Sequence, residues 1–213
     1  MKARNPLKNF DSNLFWRNPA KVSAEIRAYN GGRLYRFCQP EFYLDMTWGT
    51  RIAINVITRY AKKDWTLTEL GCNTGKVIWN LMQAGYKHID GVEINPHAID
   101  VGRKAFPELN KVKIVNASIE EVINDLPEVD VIYSCGVYMH IPPDHEWVFP
   151  LIASKARRLL LTTENETETD FFKWGRNYRE VFEPFGWKQV EEQSGALYPP
   201  LPASSIVRVF VKG

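Results

Sequence analysis

Two carboxylates and a glycine turn hold most of the chemistry that this sequence can do. Glu69 opens the run Glu69-Leu70-Gly71-Cys72-Asn73-Thr74-Gly75, and Glu93 closes the later run Asp90-Gly91-Val92-Glu93. A strand, a glycine turn opening a helix, and a second strand ending in a carboxylate would hold the adenosine half of a ligand at the edge of a parallel sheet. The glycine spacing selects among ligands. A triphosphate loop needs G-x-x-x-x-G-K-[ST], but Gly71 and Gly75 are one residue too close and Val77 replaces the hydroxyl. A dinucleotide loop needs G-x-G-x-x-G, but Asn73 stands at the second glycine and no third glycine is in register. Glu69, at the mouth of the turn, would repel a pyrophosphate and attract an ammonium.

Further along, Tyr138, His140 and His145 follow the fourth apolar run and are candidates to take a proton or touch a substrate. His140 could equally brace the loop it sits in. Glu164-Asn165-Glu166 follows the fifth run; it reads as a solvated acidic loop, with substrate binding by one carboxylate as the alternative. Cys72 and Cys135 read as small packing residues beside the site. His88, His97, His140 and His145 lack metal-ligand spacing, so no metal is expected.

Positioning these groups requires a parallel sheet. From residue 66 short apolar runs alternate with amphipathic stretches, which favours βαβ units. The pattern predicts strands near 66–70, 88–94, 111–115, 129–134 and 158–163, with helices near 75–85, 96–105, 119–125 and 145–155. Asn95-Pro96 is a good helix start, and Ser118-Ile119-Glu120-Glu121 is a capping box. A helix near 170–182 and two strand-like runs, 187–197 and 204–212, follow. Residues 1–65 read as a helical N-terminal cap and 66–213 as the core of one compact unit.

These motifs together resemble the class I S-adenosylmethionine-dependent methyltransferases. Glu69–Gly75 resembles their first motif, E/D-x-G-x-G-x-G, with Asn73 in place of the central glycine. Glu93 matches their acidic residue that takes both ribose hydroxyls. Asn116-Ala117-Ser118-Ile119 matches the turn bordering adenine, and Asp130–Ile141 the fourth-strand motif whose end faces the transferred methyl. The resemblance implies an α/β, Rossmann-like, seven-stranded and mostly parallel sheet with an antiparallel C-terminal hairpin and helices on both faces. It implies S-adenosyl-L-methionine as cofactor, held by Glu69, Gly71, Cys72, Asn73, Thr74, Gly75, Glu93, Ile94, Ser118, Ile119, Cys135 and Gly136. For Ser118, adenine contact and a purely capping role stay open. The run Ser134–Asp144 is also locally similar to small methylases associated with bacterial surface-sugar biosynthesis.

The net charge of +2 is unevenly spread: residues 1–65 hold 12 Lys/Arg against 5 Asp/Glu and 11 of the 27 aromatics. A basic, aromatic segment suits an anionic small molecule or RNA; the plainer alternative is a cap with an aromatic core face and a solvated basic face. Trp16, Arg36, Tyr43 and Trp48 are the residues of this segment expected at a substrate, with His145 beyond it. No run reaches the roughly 18 apolar residues of a membrane span. Three cysteines without a CxxC pair, and no apolar leader, suit a reducing cytoplasm. The expected function is methyl transfer to O or N of a small polar, anionic or sugar-derived metabolite. The alternatives are RNA methylation and an inactive methyltransferase-like partner subunit.

Overall fold

The computed structural model describes residues 10–21, 39–45, 48–170, 172–199, 201 and 203–213. Seven strands form its sheet: β1 (Thr66–Leu70), β2 (His88–Glu93), β3 (Ile114–Asn116), β4 (Val129–Cys135), β5 (Ala156–Asn165), β6 (Trp187–Ser194) and β7 (Ser205–Lys212). Their order is β3-β2-β1-β4-β5-β7-β6. The first five run parallel, and β7 lies antiparallel between β5 and β6. Strands β1 and β4, buried almost throughout, occupy the centre. Strand order reverses between them, and that reversal opens a crevice at their carboxyl ends.

Among the described residues the helices are α1 (Ser12–Arg17), α2 (Pro40–Asp45), α3 (Trp48–Tyr60), α4 (Lys76–Gln83), α5 (Pro96–Ala105), α6 (Ile119–Val122), α7 (Val148–Lys155) and α8 (Tyr178–Phe182). One apolar layer joins Ile52, Val56 and Ile57 of α3 and Ile78 and Leu81 of α4 to Leu67 and Tyr133 of the sheet. The other joins α6, α7 and α8 to Leu70, Ile132 and Phe210. Helix α3, within the expected N-terminal cap, is thus part of the core packing. No helix among the described residues is long and apolar enough to cross a membrane.

Local signals act as their chemistry dictates. Asn95 Oδ1 accepts from the His97 and Ala98 amides at 3.0 and 3.4 Å, with Pro96 at the first helical position of α5. In the capping box of α6, the Glu121 amide donates to Ser118 Oγ at 3.3 Å and the Ser118 amide to Glu121 Oε2 at 2.7 Å.

Several boundaries differ from the sequence expectation. Residues 107–111 form a short tight helix opened by Pro107, so β3 begins only at Ile114. Pro142 and Pro143 hold the chain away from α-helix, and α7 starts at Val148. The expected helix near 170–182 shrinks to α8. Its upstream half is a turn closed by an Asp170–Lys173 bridge, and Asn177 starts the helix by accepting from the Arg179 amide. Strand β6 stops at Ser194, whose hydroxyl accepts from the Ala196 amide and opens a turn.

Candidate functional site

The turn after β1 is built from left-handed backbone. Gly71 and Gly75 have φ of +76° and +69°, and Asn73, at +49°, is the non-glycine residue of positive φ among those described. Asparagine tolerates this region better than most side chains, which explains how it replaces a glycine. The Asn73 side chain also accepts from the Thr74 amide at 2.8 Å. A Cβ on Gly71 would lie 2.3 Å from Val137 Cγ2, so the loops after β1 and β4 touch at this point. On the far side, a Cβ on Gly102 of α5 would lie 2.0 Å from the Thr74 carbonyl oxygen.

Both carboxylates sit in the wall of one cavity at the switch point. Glu93 is buried and oriented by two amides: Asn73 N–H donates to Oε2 at 2.7 Å and Asn95 N–H to Oε1 at 2.8 Å. Each oxygen keeps acceptor capacity for a ligand hydroxyl. Burial raises the Glu93 pKa despite these bonds. Glu69 is 2% exposed and receives one hydrogen bond, from Tyr133 Oη at 3.2 Å. Burial pushes its pKa well up, and among the described residues no salt bridge reaches it. A desolvated carboxylate with no counter-cation is costly alone and suits a ligand ammonium.

Eleven of the twelve cofactor positions expected from sequence line this cavity; Gly75 stands behind it as the residue that starts α4. Cys72 and Cys135 line it with thiols whose pKa burial raises, so they remain protonated packing groups. Ser118 and Ile119 line it too, and Ser118 simultaneously makes its capping bonds. Unforeseen lining residues include Ser12, Asn13, Thr50, Lys76, Glu120 and Val137. They come from helix starts and loops, where sequence periodicity gives no sign of which way a side chain faces.

The far wall meets the N-terminal helices. His140, Trp16 and Tyr43 all line the cavity. The rings of Trp16 and His140 are 4.4 Å apart, and Ser12 Oγ donates to the His140 carbonyl at 3.0 Å. His140 Nδ1 lies 2.7 Å from the Phe172 carbonyl oxygen. A carbonyl only accepts, so Nδ1 carries the proton and Nε2 keeps its lone pair. Burial lowers this histidine from its ordinary 6.5 to about 4. His140 is therefore neutral throughout the physiological range.

The remaining candidates scatter. Tyr138 is buried with Phe149, Tyr178 and Phe182 and does not line the cavity. His145 does not line the cavity but pairs at 2.9 Å with Glu120, which does. Trp48 opens α3, but its side chain lies outside the described set, as does Arg36 altogether. Glu164 is not in a solvated loop: it is 1% exposed, and Glu166 forms a buried ion pair with Arg208 at 2.7 Å.

Sheet order, glycine turn and paired carboxylates give the chain a Rossmann-like methyltransferase fold with a cavity at its switch point. Comparison with known proteins agrees. Residues 68–160 match the family model described as a methyltransferase domain. The chain is similar to the ribosomal protein L11 methyltransferase of Clostridium perfringens, with 23% identity over 84 residues, 38% of this chain and 27% of that protein. It thus spans about a quarter of the length of the curated relatives it matches.

Among solved structures it is similar to a TehB-like methyltransferase from Corynebacterium glutamicum, with TM-score 0.64 and 21% identity, covering 86% of this chain and 100% of that one. It is also similar to magnesium protoporphyrin IX methyltransferase from Synechocystis with bound S-adenosylmethionine, with TM-score 0.67 and 14% identity, covering 97% and 99%. At these identities the likeness concerns the fold.

Proposed function

We propose that the protein transfers the methyl group of S-adenosylmethionine to an oxygen or nitrogen of a small polar metabolite. The observation that carries this reading is Glu69, a buried carboxylate without a counter-cation among the described residues, in the same cavity as Glu93 and His140. Glu69 would hold the ammonium of the cofactor and Glu93 its ribose hydroxyls. When bound, the cofactor supplies a carbon activated by its sulfonium.

The chain's own residues then have three tasks: to align the acceptor, exclude water and receive a proton where the acceptor carries one. Helix α1 covers the His140 end with Ser12 and Trp16. Nε2 of neutral His140 is a lone-pair acceptor for an acceptor O–H or N–H. With a pKa near 4 it is a weak base, which suits orienting a nucleophile and taking its proton as the methyl arrives.

Calorimetric titration with S-adenosylmethionine tests the reading first; a chain that binds none is a methyltransferase-like subunit instead. Screening polar metabolites for formation of S-adenosylhomocysteine then identifies the acceptor. His140→Ala is expected to cut turnover at least tenfold while leaving cofactor affinity within about threefold. Equal turnover returns His140 to a bracing role.

The surplus of basic residues in the first 65 positions favours RNA as a second reading. Among its described cations, however, Arg17 pairs with Glu121 and Arg59 with Glu191. RNA binding that falls steeply with added salt would support it, and absence of binding would remove it.

A further inference from the structure

Most backbone groups of the turn that carries His140 have a partner, and two charged side chains do much of the work. Gly136 N–H donates to the Thr163 carbonyl at 2.8 Å. Val137 N–H donates to Glu164 Oε1 and Met139 N–H to Glu164 Oε2, each at 3.2 Å, and Ser134 Oγ donates to Oε1 at 3.0 Å. The carboxylate thereby serves as the anion at the start of the tight helix Tyr138–His140. From the other side, Arg176 donates to the Ile141 carbonyl at 2.7 Å and the Tyr138 carbonyl at 3.4 Å. Its side chain is 9% exposed. Trp174 N–H reaches the Met139 carbonyl at 2.7 Å, and Ser12 takes that of His140.

We propose that Glu164 and Arg176 are positioning residues, a buried anion and cation that clamp the amides and carbonyls of residues 137–141 and so fix His140 in the cavity wall. The role in methyl transfer rests on the reading given above; the clamp itself does not. Neither residue lines the cavity, so they act through the turn.

The charge on Glu164 is part of the device. Burial raises its carboxyl to about 7, against the four hydrogen-bonding groups that lower it. Cys135, Tyr138 and Tyr178 interact with it electrostatically, and burial raises all three, so they stay neutral. Among the described residues no salt bridge reaches Glu164. Raising pH through 7 therefore charges the clamp, and the turn tightens.

The test uses the full chain and needs no acceptor. With four histidines in the chain, the His140 ring can be followed by NMR titration. Wild type is expected to titrate near 4. In Glu164→Gln and Arg176→Met the ring loosens into water, and its pKa moves at least one unit toward the ordinary 6.5. Amide exchange of residues 136–141, corrected for intrinsic chemistry, should be at least tenfold slower at pH 8 than at pH 6 in wild type. In Glu164→Gln it should be fast at both.

A His140 pKa and an exchange pattern unchanged in both variants would overturn the clamp. Arg176→Lys, which keeps charge and a donor, should restore part of the protection that Arg176→Met loses. Thermal melts identify any variant that fails to fold; the pH dependence of exchange in wild type then decides alone. Failure of wild type to bind S-adenosylmethionine would count against the cofactor reading and leave the clamp result intact.

Discussion

Single side chains divide here by whether a ligand or the protein completes their bonding. Glu93 is held by two amides and offers its remaining lone pairs to the cavity. Glu93→Ala is expected to weaken S-adenosylmethionine binding on the order of tenfold to a thousandfold, from the loss of two charge-assisted bonds. Calorimetry measures it, and unchanged affinity would show that β2 does not deliver the ribose contact. Tyr138 is the opposite case. Its hydroxyl is buried with no hydrogen-bond partner among the described residues, inside an aromatic cluster. Tyr138→Phe removes an unsatisfied group, so it should leave turnover unchanged and keep or raise the melting temperature. A tenfold fall in turnover would give the hydroxyl back a catalytic role.

At the level of elements, the spacing between α5 and the glycine turn is set by a missing methyl group. A Cβ on Gly102 would meet the Thr74 carbonyl at 2.0 Å, a backbone contact that no rotamer change relieves. Gly102→Ala should therefore push α5 or the turn outward and weaken cofactor binding at least tenfold, with a clear loss of melting temperature. A variant with wild-type affinity would mean the turn adjusts freely.

Legibility in the sequence followed the same division. Strands β1, β2 and β4 and the starts of α5 and α6 were readable because alternation, Asn95-Pro96 and the capping box act over a few neighbouring residues. Gly102 gave no such sign, because its demand comes from Thr74 across space. Glu164 looked like a loop residue because its partners, Ser134, Val137 and Met139, lie about 30 positions upstream. His140 was legible as a candidate, but its shift to about 4 depends on burial under Trp16 and Phe172.

For the whole molecule, two buried titrating groups oppose each other. His140 is depressed from 6.5 to about 4, so the unfolded chain binds its proton first and stability is lost as pH falls through that window. Glu164 is raised from 4.5 to about 7, so the folded chain holds its proton and stability is lost as pH rises through that window. Relative to Glu164→Gln, wild type should therefore lose stability between pH 4.5 and 7 and change little above. Relative to His140→Ala, it should gain stability from pH 4 to 6.5. Denaturant titrations across this range check both slopes, and a flat difference curve would contradict the burial assigned to that group. The charged clamp thus stiffens one turn at the expense of global stability.

The placing of α3 has a consequence for heredity and engineering. The segment matching the methyltransferase domain, 68–160, contains Glu69 and Glu93, whereas Ser12, Asn13, Trp16 and Tyr43, which line the same cavity, precede it. Helix α3 lies between the two, locked into the core by Ile52, Val56 and Ile57. A chimaera joined ahead of α3 would exchange those lining residues and keep the apolar layer that α3 completes. One joined after it, at the seam that composition suggests, would tear a hole in the hydrophobic interior. The leading helices can thus be exchanged to reshape one side of the cavity, provided that recombination respects that third helix.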